Sequence, residues 1–379
     1  MEWAHRDDTA ARKAVFEAGK RLREYRVPIY VIDTDDEAVL RSIFHRVNNT
    51  GQSLTWPEVH DALYGHRGPE PSSIAELSDR LAEVGAGRPD EDHLVSCLLA
   101  YRGQDVTRSL GELLRDKPDL LDGAAAEAMP ALREVIGFLR SRAEIPHLRL
   151  LPYSTPLVVL TRFFQQHPAP SERSLMLLVR WVWRSLLVAN HDDRALKRQG
   201  VARIQPDEES SVQGLLSLVP RQQSPFELAS RFDARSANSR IALLAMCALR
   251  PRALPGEDPI DVAVEIRAHD VAAFRPLFPL VGEATSSPAN RLLLPGAGAA
   301  STLLRRFIAN VGVDHAVLRS HAISAAVAQA ILDDDRARAL AARADILTRS
   351  VATIGDRLAG WGRNDRPSIQ YLLELGADP

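Results

Sequence analysis

The sequence predicts a mainly α, multi-helical protein with a short strand region near its N-terminus. Through most of the chain, apolar residues recur at three and four positions, which is the period of a helix with one buried face. Segments rich in Pro, Gly and polar residues divide these stretches and mark loops. One run, residues 27–32 (VPIYVI), is β-branched and aromatic instead and gives the best strand signal in the chain.

The N-terminal region predicts helices on both sides of this strand. A helical pattern covers residues 8–25 and leads directly into it. Residues 34–37 and 55–58 each place a glutamate three positions after a threonine, the capping box that opens a helix. The first of these helices should end at Gly51, because Asn and Gly favour the left-handed backbone that terminates helices.

The strand at 27–32 needs partners that the rest of the sequence does not supply. A lone strand leaves its backbone N–H and C=O groups unpaired, so it has to belong to a small sheet. The segments that follow predict helices almost everywhere. We therefore expect the chain to hold only part of an α/β core.

The remaining chain predicts two helical blocks joined by a polar stretch. We expect an N-terminal region at 1–65, a helical domain at 66–190, a polar connection at 191–211 and a C-terminal helical domain at 212–379. The longer predicted helices of these blocks cover 91–101, 108–115, 124–142, 153–166, 172–190, 236–249, 260–269, 302–311, 316–332 and 336–358. The segment 153–166 is apolar nearly all round, which indicates a central helix.

Composition excludes several classes of protein. A net charge of −2 gives no overall attraction to nucleic acid or to anionic membranes, although arginine greatly outnumbers lysine. Cys97 and Cys247 lie in apolar runs and are predicted to be buried, and no Cys/His spacing indicates a metal site. No signal peptide is evident, and no apolar run is long enough to span a bilayer. We therefore expect a cytoplasmic protein without membrane contact.

The most unusual local sequence is FHRVNNTG at 44–51. On a helical wheel, Arg46 and Asn48 lie on opposite edges of the apolar stripe that contains Ile43 and Val47. In a purely structural reading Arg46 extends to solvent and Asn48 caps the helix. In a functional reading both side chains line a site that faces the rest of the sheet, since a charged group beside a core needs a partner or a cleft.

The pattern Phe-x-Arg-Val-Asn-x-x-Gly at 44–51, followed by Leu54 and Glu58, resembles a motif of the domain-of-unknown-function 262 family. This is the ParB-like N-terminal domain of GmrSD-type, modification-dependent restriction endonucleases, and its strand precedes the motif as 27–32 does here. Weaker features that look like those of long family members are IPHLRLLPY at 145–153, RWVWR at 180–184, NR at 290–291, SHAI at 320–323 and DRPS at 365–368.

The resemblance implies a ParB-like α/β domain that hydrolyses nucleotides or cuts DNA. In this family an Asp-Gly-Gln-Gln-Arg signature precedes the motif, and no such sequence occurs in this chain. We therefore expect the signature and the missing strands to lie upstream of Met1, through a misplaced gene start or on a separate polypeptide partner. Arg46, Asn48 and Gly51 would then be a nucleotide- or phosphate-binding half-site. The resemblance implies a nucleoside triphosphate and Mg²⁺ only in a complete protein, and no cofactor for this chain alone.

Other candidate residues are weaker. His321 lacks the acidic neighbour and the proline of a His-Asn-His-like nuclease motif and is predicted to be structural, and His147 is predicted to pack or to cap a turn. The densest basic region includes Arg180, Arg184 and Arg198, with acidic residues interspersed. It reads either as an ordinary solvated face or as a surface that contacts DNA phosphates.

The sequence leaves three functional hypotheses. The first is a component or truncated form of a GmrSD-type DNA-targeting restriction protein that is not catalytically competent alone. The second is a non-catalytic helical scaffold or protein-interaction module. The third is an intact enzyme that uses other residues, so enzymatic activity stays open.

Overall fold

The chain divides into two compact units, Met1–Ser53 and Leu54–Pro379. The computed structural model of the chain describes residues 9–25, 39, 55–64, 70–108, 110–117, 119–188, 192–222, 225–256, 258–280, 282 and 285–366. The strand predicted at 27–32 and the capping box at 34–37 lie outside these residues. The predicted boundary at residue 65 falls inside the second unit.

In the first unit, the structure describes helix α1 (Thr9–Glu24). The helix agrees closely with the pattern predicted for residues 8–25. Several of its large apolar side chains are exposed, including Phe16 at 69% and Leu22 at 80%.

The second unit is built almost entirely from helices, as the sequence predicts. In its first half they are α2 (Trp56–Tyr64), α3 (Ile74–Ala82), α4 (Glu91–Tyr101), α5 (Leu110–Asp116), α6 (Ala124–Ser141), α7 (Thr155–Gln166), α8 (Glu172–Leu186), α9 (Asp193–Ala202) and α10 (Glu208–Leu216). In its second half they are α11 (Ala237–Ala248), α12 (Val262–His269), α13 (Ser301–Val311), α14 (Ala316–Arg319), α15 (Ala325–Leu332) and α16 (Arg336–Ile354), which continues as a π turn, Gly355–Ala359.

The capping box at 55–58 opens α2 as predicted. The Glu58 carboxylate accepts hydrogen bonds from the Thr55 backbone N–H at 2.7 Å and from the Thr55 hydroxyl at 2.9 Å. These bonds lower the pKa of Glu58, so the carboxylate stays ionised beside the positive end of the helix dipole.

Helix α7 is the central element of the first half, which confirms the prediction for 153–166. It packs against α4, α6 and α9. Its apolar side chains are buried because neighbouring helices surround it, and Val158, Leu160 and Phe163 are fully enclosed. The following helix α8 buries both Trp181 and Trp183.

The stretch 191–211, predicted as a polar connection between two blocks, is largely helical. Asp192 caps α9 by accepting the N–H of Ala195 at 2.9 Å, and α9 packs along α7. Gly200 permits this close approach, because a Cβ there would lie 2.7 Å from a methyl carbon of Val159. The polar composition belongs to the outer face of α9, whereas one small residue on its inner face determines the packing.

The second half has its own core, formed by α13 to α16 around residues such as Leu304, Val317, Val327 and Ile331. An antiparallel pair of three-residue strands, β1 (Phe274–Pro276) and β2 (Arg291–Leu293), lies at its edge, with Phe274 opposite Leu293. The sequence analysis did not predict these strands. A three-residue strand is too short to give a period-two pattern, so only its pairing identifies it.

The helix predicted at 316–332 is two helices, α14 and α15, with a break at residues 320–324. Ala322 adopts the left-handed conformation, with φ of 57°, and Ser324 caps α15 by accepting the N–H of Val327. The apolar spacing continues through the break because both helices face the same core. Periodicity alone therefore merged them.

Candidate functional site

The predicted nucleotide- or phosphate-binding half-site, Arg46, Asn48 and Gly51, lies outside the residues that the structure describes. The half-site therefore stays a prediction.

Two of the predicted DNA contacts, Arg180 and Arg184, lie one helical turn apart on α8 and point to the same side. Both are buried, and Arg184 is completely so. The Asp365 carboxylate accepts from Arg180 Nη1 at 2.8 Å and from Arg184 Nη1 at 2.5 Å. The sequence features RWVWR at 180–184 and DRPS at 365–368 are therefore in direct contact through Asp365 and the two arginines.

Backbone groups of the C-terminal segment complete this cluster. Arg184 also donates from Nε to the Ala359 carbonyl at 2.9 Å and from Nη2 to the Gly360 carbonyl at 3.0 Å. Its guanidinium lies over the Trp361 ring, 5.8 Å from the centroid. Gly360 has φ of 57°, and a Cβ there would lie 3.0 Å from Arg180 Nε, so glycine suits both the backbone and the space. The cluster ties the C-terminal segment to α8.

Asp365 offsets part of the positive charge of this cluster, because one carboxylate serves two guanidinium groups. Burial alone would raise the pKa of Asp365, but hydrogen bonds from Arg184 and Arg180 outweigh it and the pKa is lowered. Contact with DNA requires exposed guanidinium groups, whereas Arg184 is enclosed and committed to Asp365 and to carbonyls. The structure therefore does not support a phosphate contact by Arg184. Arg198, on α9, is exposed, and its predicted DNA contact stays a prediction.

An arginine-lined surface adjoins the buried cluster. Arg142, Arg180, Arg357 and Arg363 line a cavity of about 220 Å³, and a second one of about 560 Å³ shares Arg142 and adds Arg140. We refer to these five arginines as the arginine groove. Within the described part of the chain, no acidic side chain lines the smaller cavity, whereas Glu134 lines the larger one.

The arginines of the groove differ in how they are paired. Arg142 forms two hydrogen bonds to Glu172, at 2.8 and 3.0 Å, and Arg357 forms a bidentate pair with Glu144, both at the surface. Arg363 is exposed, and among the described residues its guanidinium has no hydrogen-bond or ion-pair partner. The groove therefore offers at least one uncommitted cation, and its solvent-exposed pairs can exchange partners at little cost.

The sequence analysis missed most of the groove. Arg142 follows α6, Arg357 lies in the π turn and Arg363 lies in the C-terminal segment, so more than 200 positions separate the first from the last. No local spacing connects them. Only Arg180, from the predicted basic region, lies at the groove as well as in the buried cluster.

A second buried polar network lies in the C-terminal half. Arg343 on α16 is fully buried and donates from Nε to the His321 carbonyl at 3.2 Å and from Nη1 to the Ala289 carbonyl. Asn290 accepts from the Phe278 N–H at 2.8 Å and donates to carbonyls. The sequence features at 290–291 and 320–323 thus surround Arg343.

His147, His321 and the two cysteines have structural roles in this arrangement. Desolvation lowers the pKa of His321 to about 4, and its Nε2 bonds to the Arg252 carbonyl at 2.7 Å. His147 caps a turn by accepting the Arg149 N–H at 3.0 Å, as predicted, and desolvation lowers its pKa to about 4. Both cysteines are buried as predicted, and burial raises the pKa of Cys97 to about 12. Neither thiol is activated for chemistry.

No protein-family model matches this chain, and no curated protein or solved structure matches it. The family resemblance therefore stays a prediction. In the described part of the chain, no three His, Cys, Asp or Glu side chains converge as metal ligands. Across those same residues, no helix combines the length and the apolar character needed to cross a bilayer.

Proposed function

We propose that this chain is the DNA-binding component of a GmrSD-type DNA-targeting defence protein, and that it contacts DNA through the arginine groove. The observation that carries the proposal is the convergence of the exposed Arg142, Arg357 and Arg363 on one cavity that, among the described residues, no acidic side chain lines. Arginine forks match phosphate oxygens in geometry as well as in charge. The resemblance at 44–51 supplies the defence context.

In this proposal the buried cluster holds the groove in shape. Asp365 fixes Arg180 and Arg184 on α8 and so positions the C-terminal segment that carries Arg363. Phosphate contacts fix register on a duplex but carry no sequence information. The groove therefore accounts for affinity, and recognition of a modified base would belong to another part of the complete protein.

The test is binding of a labelled DNA duplex by fluorescence anisotropy. We expect binding at about 50 mM salt that weakens steeply toward about 200 mM, because phosphate contacts release counterions. The double variant Arg142→Gln with Arg363→Gln should bind about tenfold or more weakly and show a shallower salt dependence. Arg235→Gln, an exposed arginine outside the groove, is the matched control and should bind as the parent chain does.

Three outcomes contradict the groove as the DNA site. One is an absence of binding at low salt, and another is a double variant that binds like the control. The third is loss of binding with Arg198→Gln alone, which would move the contact to α9, where the sequence analysis had predicted it.

Nucleotide chemistry is a separate part of the proposal. In a complete protein a nucleoside triphosphate and Mg²⁺ would occupy the half-site of Arg46, Asn48 and Gly51. Hydrolysis of GTP or ATP by the purified chain, measured by phosphate release, tests this. Robust turnover that survives Arg46→Ala and Asn48→Ala would rule out the half-site.

One observation favours the alternative function of a scaffold or protein-interaction module. Helix α1 exposes Val15, Phe16 and Leu22, and the exposed Tyr25 follows directly, an apolar set that is unusual in a solvated segment. If the chain binds no DNA at low salt, and if Phe16→Ser with Leu22→Ser abolishes self-association in sedimentation experiments, the scaffold function is preferred. Salt-sensitive DNA binding without any self-association favours the DNA role.

A further inference from the structure

A polar cleft separate from the arginine groove lies where the N-terminal ends of α4, α7 and α9 meet the turn Leu148–Leu150. Its volume is about 410 Å³, inside the range of roughly 300 to 1,000 Å³ that is typical of small-molecule sites. Its lining combines charged side chains with Leu148, Leu151 and Leu157. A combination of apolar and polar lining groups is typical of a ligand site.

Arg240 is the distinctive cation of this cleft. It is half-buried on α11, where Nε donates to the Ala234 carbonyl at 2.9 Å and Nη1 donates to the Leu151 carbonyl at 2.8 Å. Among the described residues it has no carboxylate within ion-pair distance, and its Nη2 donates to none of them. Arg240 is therefore held rigidly while one edge of its guanidinium keeps its donors available.

A second guanidinium, that of Arg149, lies near Arg240 and is itself held in place. Asp270 accepts from Arg149 Nε at 2.8 Å and from Nη2 at 3.0 Å. Burial, reinforced by the nearby charge of Arg149, lowers the pKa of Arg240. An anion beside the two guanidiniums would relieve this repulsion.

The backbone at Asp270 is strained in a way that helps to fix Arg149. Asp270 has φ of 51° and ψ of −143°, a region that residues other than glycine rarely adopt. Strain of this kind persists where the surrounding structure enforces it, and it concentrates at ligand sites. Here it presents the Asp270 carboxylate to Arg149 at the edge of the cleft.

The carboxylates of the cleft are already committed to the protein. Asp90 caps α4 by accepting the N–H groups of Asp92 and His93, at 3.1 and 3.3 Å. Asp193 accepts from the Thr155 hydroxyl at 2.5 Å and forms an ion pair with Lys197 at 2.9 Å. These carboxylates do not compete for Arg240, which keeps its charge for a ligand.

Arg88 also lines the cleft and is paired with Asp79 and Glu91, and His93 and Tyr153 add further hydrogen-bonding groups. His93 lies at an exposed position, and its neutral ring can accept or donate one hydrogen bond. Desolvation raises the pKa of Tyr153, so its hydroxyl stays protonated. Both side chains are suited to hydrogen bonds that orient a ligand without adding charge.

We propose that this cleft binds a small organic anion, whose single carboxylate or phosphate group docks on Arg240 and whose apolar body lies against Leu148, Leu151 and Leu157. Arg149, paired with Asp270, lies beside Arg240, and His93 and Tyr153 orient the ligand at the mouth. The two anionic groups share the chemistry that Arg240 recognises, so paired probes distinguish them.

The probes are para-fluorobenzoate and para-fluorophenyl phosphate, with uncharged para-fluorophenol as the matched control, observed by fluorine NMR of the full chain. We expect the fluorine resonance of at least one anion to broaden on addition of the protein, whereas that of para-fluorophenol stays sharp. Arg240→Gln should weaken that anion about tenfold or more, because it loses a charge-assisted hydrogen bond. The anion that broadens identifies the ligand group as carboxylate or phosphate.

Arg235→Gln changes an exposed arginine that lies just before α11. This control variant should bind the anion as the parent chain does. Because Arg240 also fixes two carbonyls, His93→Trp provides a second test from an exposed position at the mouth of the cleft. The larger indole ring should obstruct the cleft and abolish broadening of the anion's fluorine resonance, and the substitution leaves the hydrophobic core unchanged. Its result decides the matter if Arg240→Gln does not fold.

The proposal is overturned if the parent chain broadens the fluorine resonance of neither anion, or if it broadens that of para-fluorophenol equally. It is also overturned if a folded Arg240→Gln, or His93→Trp, binds the anion like the parent. None of these residues belongs to the arginine groove, so failure here leaves the DNA proposal unaffected.

Discussion

Arg184 and Arg343 are both completely buried, yet the protein accommodates their charges in opposite ways. Arg184 faces the carboxylate of Asp365, with Arg180 sharing that partner. Among the described residues Arg343 pairs with no carboxylate, and it donates to the carbonyls of Ala289 and His321. The first site neutralises charge with charge, and the second surrounds a cation with backbone dipoles.

The difference is reflected in the ionisation of the two sites. At the first, the arginines hold the pKa of Asp365 below its usual value, so the carboxylate is ionised at neutral pH. At the second, desolvation lowers the pKa of Arg343 to about 9, which still leaves it a cation at neutral pH. Burial of an arginine therefore does not by itself indicate an ion pair, because aligned carbonyls can supply the compensation.

The largest expected effect comes from removing the shared carboxylate. Asp365→Asn keeps the shape but leaves the charges of Arg180 and Arg184 uncompensated in the interior. The free energy of unfolding should fall by about 3 to 5 kcal/mol, measured by urea denaturation. Asp356→Asn, an exposed neighbour in the π turn, is the control and should cost less than about 0.5 kcal/mol. A loss as small as the control's would mean that carbonyl groups alone suffice at both sites.

Acid should weaken the second site through His321. In the unfolded chain a histidine binds a proton below about 6.5, whereas the folded pKa of His321 is about 4. Between pH 4 and pH 6.5 the unfolded state binds more protons than the folded state does. The contribution of neutral His321 to the free energy of unfolding is therefore fully present above pH 6.5 and is lost as the pH falls toward 4. The expected loss is roughly 3 kcal/mol, measured as the free energy of unfolding against pH.

The matched variants isolate this titration. His321→Gln keeps a donor for the Arg252 carbonyl and should flatten the pH dependence. His147, whose pKa is also lowered to about 4, adds a similar slope that His147→Asn should remove while keeping the cap. His269→Gln, at an exposed position, should leave the slope unchanged. An unaltered slope in His321→Gln would contradict the assignment.

Removing the cation of the second site should cost less than removing the carboxylate of the first. Arg343→Met fills a similar volume and takes away a buried charge, but it leaves the carbonyls of Ala289 and His321 without donors. We expect a loss of about 1 to 3 kcal/mol in the free energy of unfolding. A cost equal to or above that of Asp365→Asn would show that dipoles compensate a buried cation as effectively as a carboxylate.

The smallest effect is expected at the surface, where Arg142 and Glu172 form a geometrically similar pair. Their side chains are 50% and 75% exposed. Water screens such pairs, so Glu172→Gln should change the free energy of unfolding by less than about 1 kcal/mol. A larger loss in urea denaturation would mean that geometry, and not burial, sets the strength of the arginine pairs.

The helical character of the chain could be predicted from the sequence because it depends on local periodicity. The helix at 91–101, the central helix α7 and the capping box at 55–58 follow from apolar spacing and from side chains that bond their own backbone. The break at Ala322 could not be predicted in this way, since the apolar spacing continues through it.

The candidate sites could be predicted only in part. RWVWR at 180–184 and DRPS at 365–368 stand out as unusual strings, but nothing local indicates that they contact each other or that their arginines are buried. The basic region suggested a DNA-contacting face, and burial instead commits Arg184 to Asp365. Arg142, Arg357 and Arg363 carry no signal at all until the fold brings them to one cavity.

The sequence by itself determined that this protein is mainly helical, that its cysteines are buried and that most of its helices begin and end where they do. Those features depend on residues within a few positions of one another. The tertiary structure alone decided which arginines are enclosed by carboxylates, which by carbonyls, and which keep free donors at the groove or at the cleft. Charge compensation depends on distance and burial, and both are set by segments far apart in the chain.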